Sequence, residues 1–235
     1  MQAISDTIVP MATPTTSAPT SASTATPGTP GTSGRGRPRE FDLDAVLDRV
    51  VELFWEKGFE ATSVNDIVDA TGLNKSSLYN AFGSKDALFE RALEKYMAMR
   101  ISMLTAMLTD GTAGLDDIEA LMQFMELELT SDAGGRGCLA VNTSTELGYR
   151  DDAARAASNE YRTAIRAALT AVLTRAEARG EIEPGSSATY VEVLLPWMLG
   201  MAVVARSGAE ADEVARYFAA GRALITGWRL NSPFS

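Results

Sequence analysis

Ser63-Val64-Asn65-Asp66-Ile67-Val68-Asp69-Ala70-Thr71-Gly72-Leu73-Asn74-Lys75-Ser76-Ser77-Leu78-Tyr79-Asn80-Ala81-Phe82-Gly83 is the stretch that decides the fold. Val64, Ile67 and Val68 recur at helical spacing and predict a short helix from about Ser63 to Ala70. Ser63 with Asp66 three residues on approximates a capping box, with Asp in place of the usual Glu or Gln. Thr71-Gly72-Leu73 reads as a corner, because glycine reaches the left-handed backbone region that a sharp helix-to-helix turn needs. Asn74 then caps a further helix through Phe82, with Leu78 and Phe82 inward and Lys75, Ser76, Ser77 and Asn80 outward. Two helices this short bury little. They are suited instead to presenting one exposed helix, whose small and polar outer residues can approach base edges and phosphates. A helix-turn-helix is therefore expected at Thr62 to Asn80.

Support for it is legible on both sides. Leu43, Val46, Leu47, Val50 and Phe54 form an apolar stripe capped by Asp42 and stopped by Gly58. Ser84 caps a longer helix from Lys85 to about Leu108, with Leu88, Ala92, Leu93, Tyr96 and Met97 in register. Further helices are expected at Leu115–Thr130, Arg136–Leu147, Asp151–Arg179, Ser186–Arg206 and Asp212–Trp228, separated by Gly, Pro and Asp/Ser clusters. No alternating strand pattern is present. The expected fold is all-α with about nine helices: an N-terminal three-helix helix-turn-helix domain at residues 39–95, then a helical domain at residues 96–235. Residues 1–38 read as a disordered Thr/Ser/Ala/Pro/Gly tail ending in a basic arm. Arg37 and Arg39 in that arm fit either a solvated linker or a contact to phosphates or the minor groove.

Composition narrows the function. The 235 residues carry a net charge of −10, unfavourable for a partner that is itself a polyanion. Residues 1–34 hold −1 of it, residues 35–100 hold −2 and residues 101–235 hold −7. The acidity thus lies mainly outside the helix-turn-helix, and phosphates respond to local field. With no histidine and a single cysteine, Cys138, the chain has neither a Cys/His zinc site nor a Ser/His/Asp triad. No metal, cofactor or catalytic activity is expected. The longest apolar run, Val191 to Val204, is interrupted by Glu192, Pro196 and Gly200, and falls short of the ~18 residues of a membrane span. Without a secretory signal or a second cysteine, a cytoplasmic protein with no membrane partner is expected.

From Ser63-Val64-Asn65-Asp66-Ile67, through Gly72-Leu73-Asn74-Lys75-Ser76-Ser77-Leu78-Tyr79, to Phe82-Gly83-Ser84-Lys85-Asp86-Ala87-Leu88-Phe89, the chain closely resembles the tetracycline-repressor (TetR) family of bacterial regulators. The resemblance covers about residues 39–95. It implies a homodimer on double-stranded operator DNA and an all-α C-terminal domain that binds a small-molecule effector. Residue by residue, it implies that Tyr79 and Lys85 contact phosphates, as do Thr62 and Ser63 at the entry to the second helix. Lys75, Ser76, Ser77 and Asn80 fall at base- or phosphate-reading positions. Ala81 departs from the pattern, standing where an aromatic is common.

The C-terminal part carries no sharp motif. Met103, Met122, Met125, Trp197 and Met201 fit either a core or the lining of an effector cavity. The last two helices, around Trp197 and Phe218, are the expected dimer surface. Gly134-Gly135-Arg136-Gly137-Cys138 predicts a tight corner with Cys138 near a helix start. This segment resembles one found in a branch of the family, and leaves Cys138 as either an inert buried residue or a thiol sensor of oxidants or electrophiles. A DNA-binding module without an effector is the other alternative, and an enzyme built on the C-terminal cavity is the least supported one.

Overall fold

The computed structural model describes residues 42–111 and 113–230. Nine α-helices are present among them: α1 (Leu43–Lys57), α2 (Val64–Thr71), α3 (Lys75–Phe82), α4 (Lys85–Thr109), α5 (Leu115–Leu129), α6 (Leu139–Glu146), α7 (Asp152–Ala178), α8 (Ser187–Arg206) and α9 (Ala211–Trp228). No strand occurs among the described residues. The caps lie where side-chain chemistry puts them: the side chains of Asp42, Ser63, Asn74, Ser84 and Asp151 each accept a first-turn backbone N–H.

One expected helix is split. Instead of a continuous Arg136–Leu147 segment there is a 3-10 turn at Gly134–Arg136, and α6 starts only at Leu139. Gly137 at φ +63 breaks the run, and Cys138 is extended at the α6 N-cap. A Cβ on Gly137 would lie 2.6 Å from the Ala202 carbonyl oxygen, so α8 passes here at a distance only glycine permits.

The core is continuous. Val46, Val50 and Phe54 of α1 meet Ile67, Leu78 and Phe82 of the short helices and Leu88, Phe89 and Ala92 of α4. α4 packs against α1 at one end and against α7 along its length, α7 packs on α8, and α5 packs on α9. The boundary expected at residues 95 and 96 falls inside α4, where Leu93, Tyr96 and Met97 are all buried, so one helix joins the reading unit to the helical body.

Helix α8 corrects an expectation. It is 20 residues long and holds an 18-residue window of mean hydropathy 1.6, so by length and composition it suffices to cross a membrane. It packs in the bundle instead. Val191, Leu194, Leu195, Met198, Met201, Ala202 and Ala205 are buried. Val193 and Val203 on its outer side are exposed, as are Tyr217 and Leu224 on α9. Trp197 and Phe218, expected on a dimer surface, turn inward: their rings meet edge-on at 5.2 Å, and Phe218 is fully buried.

Candidate nucleic-acid interface and interior cavities

The entry to α2 is a closed set of hydrogen bonds. Ser63 donates its N–H and its hydroxyl to the Asp66 carboxylate at 2.8 and 2.6 Å, and its Oγ accepts from the Asp66 N–H at 3.1 Å. Lys57 Nζ adds an ion pair at 2.8 Å. The hydrogen bonds from Lys57 and then Ser63 hold the Asp66 carboxyl well below the usual carboxylate range. At the corner, Gly72 has φ +70 and its N–H reaches the Val68 carbonyl at 2.8 Å. Asn74 Oδ1 accepts from the Ser77 N–H at 2.8 Å and starts α3.

Helix α3 buries Leu78 and Phe82 and turns Lys75, Ser76, Tyr79 and Asn80 to solvent, with Ser77 half-buried. Tyr79 is 46% exposed, and its hydroxyl makes no hydrogen bond among the described residues. Lys85 opens α4 with its Nζ 4.2 Å from the Phe59 ring centroid, a cation–π contact that leaves the lysine half-buried. Phe59 was not singled out in the sequence, because a lone aromatic after a glycine carries no periodic signal.

One expected contact is corrected. Thr62 is fully buried, and its hydroxyl donates to the Gly58 carbonyl at 2.6 Å. It locks the turn between α1 and α2 and presents nothing to a phosphate. Ser63 stays exposed, although its hydroxyl serves the cap. Arg37 and Arg39 lie outside the described residues. Thr62→Val is expected to lower unfolding free energy by about 1 kcal/mol through the lost hydrogen bond. The salt slope of DNA binding should stay unchanged in the same variant, checked by urea unfolding beside a salt titration of binding.

Among the described residues, two of the cavities in the helical body bear on the expected sites. The larger, of about 670 Å³, runs between α4 and α7 and reaches Phe59 in the α1–α2 loop. The smaller, of about 20 Å³, holds room for roughly one water. None of Met103, Met122, Met125, Trp197 and Met201 lines the larger one. Met125 lines the smaller, Met122 and Met201 are buried in the core, Trp197 is taken by Phe218 and Gly221, and Met103 is half-buried on α4. The bulky apolar groups fill space among themselves. The larger opening lies instead where α7 offers Ala153, Ala154, Ala156 and Ala157, with Glu160 one turn on.

Cys138 also lines the smaller cavity and is 4% exposed. Its sulfur accepts from the Tyr96 hydroxyl at 3.4 Å and donates to the Tyr161 hydroxyl at 3.7 Å. Burial pushes both phenols well above the usual tyrosine range, with the Cys138 sulfur beside them adding to it. Arg100, also buried, makes a two-pronged pair with Glu128 at 2.7 and 2.6 Å. Burial opposes the Arg100 charge, but this pairing outweighs it and raises the pKa.

The reading unit is tied to the body by polar contacts that sequence gave no sign of. Glu146, at the end of α6, accepts the N–H groups of Phe59 at 3.1 Å and Glu60 at 2.8 Å. Trp55 Nε1 donates to the Gly137 carbonyl at 3.1 Å, and Arg136 lies over the Trp55 ring at 4.3 Å. Arg206 donates to the Glu56 carbonyl at 2.9 Å, capping the end of α1.

An exposed short helix, clamped by its neighbours and carried on an all-helical body, defines a helix-turn-helix DNA-binding protein. Residues 46–92 match the model of the bacterial regulatory proteins of the tetR family, and residues 114–220 match a tetracyclin repressor-like C-terminal domain. The chain belongs to the TetR family and is a DNA-binding transcriptional regulator, not an enzyme. It is 34% identical to the HTH-type transcriptional repressor ComR of Escherichia coli strain K12 over 77% of this chain and 87% of that one. To the repressor BdcR of the same strain it is 27% identical, over 81% and 93%. Among solved structures it is similar to a cysteine mutant of the TetR family regulator CifR in complex with 26-base-pair operator DNA. That likeness has a TM-score of 0.71 at 26% identity, over 82% of this chain and 100% of that one. The reduced form of Escherichia coli NemR shares the fold, with a TM-score of 0.69 at 21% identity over 81% and 97%.

Proposed function

We propose that the protein is a ligand-responsive repressor in the cytoplasm. On this reading it binds a palindromic operator as a homodimer and leaves it when a small molecule fills the cavity between α4 and α7. The observation that carries this is where the cavity sits. Its lining includes Phe59 from the α1–α2 loop and Leu147 and Asp151 beside α6, the two loops that Glu146 ties together. An occupant therefore touches the support of the reading helix. A molecule that binds one spacing of the two reading helices better than the other shifts the population by that difference in affinity. Operator binding requires two α3 helices about 34 Å apart, or a near multiple.

Three further observations support the reading. The relatives ComR and BdcR are named repressors. The exposed apolar residues on α8 and α9 suit a twofold contact. The outer face of α3 offers Lys75, Ser76, Tyr79 and Asn80 together. Tyr79→Phe and Lys85→Gln are expected to weaken binding to all DNA sequences alike. Lys85→Gln should also lower the magnitude of the salt slope by about 0.9, the value for one neutralised phosphate, whereas Tyr79→Phe removes no charge and should weaken binding at an unchanged slope; a parental slope in Lys85→Gln, or a parental affinity in Tyr79→Phe, removes that anchor.

The test is a panel of small molecules screened by thermal stabilisation, followed by operator release in a gel-shift assay. A true effector raises stability by mass action and releases the operator at matching concentrations. If stabilising molecules leave the operator complex intact, the effector reading falls and a regulator without an effector takes its place.

A second reading, a thiol sensor, is favoured by the placing of the Cys138 sulfur between two tyrosine hydroxyls close to Arg100. Burial of the sulfur limits access, so only small oxidants or electrophiles suit it. Under this reading Cys138→Ser abolishes operator release by hydrogen peroxide. Release that persists in the variant ends it.

A further inference from the structure

Resting on the α4–α7 cavity as the effector site, we propose that its ligand is an amphipathic organic cation. The floor is apolar, formed by Phe59, Phe89, Leu93, Met97, Ile101 and Leu147. The rim is acidic, with Asp86, Glu90 and Glu94 on α4 and Asp151 and Glu160 from the α7 side. No lysine or arginine lines the cavity. Its volume of about 670 Å³ matches a drug-sized molecule.

The acidic groups at the rim are not neutralised within the described part of the chain. Asp44, Asp48, Glu52, Glu60 and Asp66 near the same end of the molecule are each paired with a lysine or arginine. Asp86, Glu90, Glu94 and Glu160 have no ion pair among the described residues. Of the adjacent lysines, Lys95 is paired with Asp44 and Asp48, and Lys85 lies over Phe59 at the cavity's edge, leaving the four rim carboxylates without an ion pair. Asp86, Glu90 and Glu94 also follow one another at four-residue spacing, where like charges oppose the helix that carries them. A cation in the cavity relieves that repulsion, an anion adds to it, and a neutral molecule does neither. A bare metal ion does not fit, since no three acidic groups among the described residues converge closely enough to hold one. The floor asks for an apolar body, and the Phe89 ring adds aromatic surface to it.

Tetraphenylphosphonium and tetraphenylborate, of like shape and opposite charge, are the probes. Titration calorimetry on the full chain at low salt is expected to show saturable binding of tetraphenylphosphonium and none of tetraphenylborate. Glu90→Gln with Glu94→Gln and Glu160→Gln should weaken tetraphenylphosphonium by on the order of tenfold, since each exposed charge contributes modestly. The three positions are exposed, so the variant should fold and, without ligand, bind operator as before. Glu183→Gln with Asp212→Asn, two exposed changes away from the cavity, should leave the affinity unchanged and so separates a site from diffuse attraction to a net −10 chain. Equal binding of the two probes, absent tetraphenylphosphonium binding, or equal weakening by both sets of substitutions overturns the proposal. Tetraphenylphosphonium that binds with this charge dependence but leaves the operator complex intact upholds the ligand class and defeats the effector reading. A neutral molecule that fills the cavity and releases operator, where tetraphenylphosphonium does not bind, does the reverse.

Discussion

Val203→Glu combined with Leu224→Glu is expected to turn the protein into a monomer and to lower operator affinity by about 10³-fold or more, toward non-specific binding. Both side chains are exposed and apolar, Val203 on α8 and Leu224 on α9, outside the core of the single chain. The folded monomer therefore loses little by the change, while a twofold contact would bring two added charges per subunit together in a desolvated patch. Specific affinity falls with the dimer because a monomer holds one reading helix, and the second half-site contributes only when both are tied together. Light scattering with gel-shift titration checks it. A double variant that remains dimeric, or a monomer that binds operator as tightly as the parent, removes α8 and α9 as the dimer surface.

The second large effect lies in the support of the reading unit. Phe54 is fully buried on α1 and meets Phe89 edge-on at 4.9 Å and Phe59 at 6.2 Å. It joins α1 to α4 and to the loop that carries Lys85's ring partner. Phe54→Ala is expected to cost about 3–5 kcal/mol of unfolding free energy, from lost burial and the cavity left behind. Against a typical total of roughly 5–15 kcal/mol this leaves a marginal protein. Urea unfolding measures it directly, and a loss under about 1 kcal/mol would contradict this packing of α1.

The reading unit was the most legible part of the chain because its signals are local. Ser63, Gly72, Asn74, Gly83 and Ser84 act within four residues of themselves, and all sit at helix ends as their chemistry dictates. What needed three dimensions was pairing across the chain. Thr62 looks like any exposed threonine at a helix entry until the Gly58 carbonyl is found 2.6 Å from its hydroxyl. Glu146 looks like a solvated helix end, yet it caps Phe59 and Glu60 more than 80 residues away. The cavity was illegible for a related reason. Methionine and tryptophan suggest an apolar lining, but in a bundle they are the groups that fill it, and the opening is left where a run of alanines on α7 faces α4. The break before α6 shows the remaining limit. The glycines of residues 134–137 announced a corner, but not that Gly137 is needed because α8 passes so close behind it.

Footprinting on DNA selected from random sequence is the most direct test of whether α3 reads an operator as half of a twofold pair. The expected result is two protected half-sites with opposed orientation, their centres about 10–10.5 base pairs apart or a near multiple. In a parallel selection with Lys75→Ala and Asn80→Ala, the half-site preference should relax while binding to arbitrary DNA persists. A single unpaired site, or a sequence preference that the α3 substitutions leave intact, would contradict it.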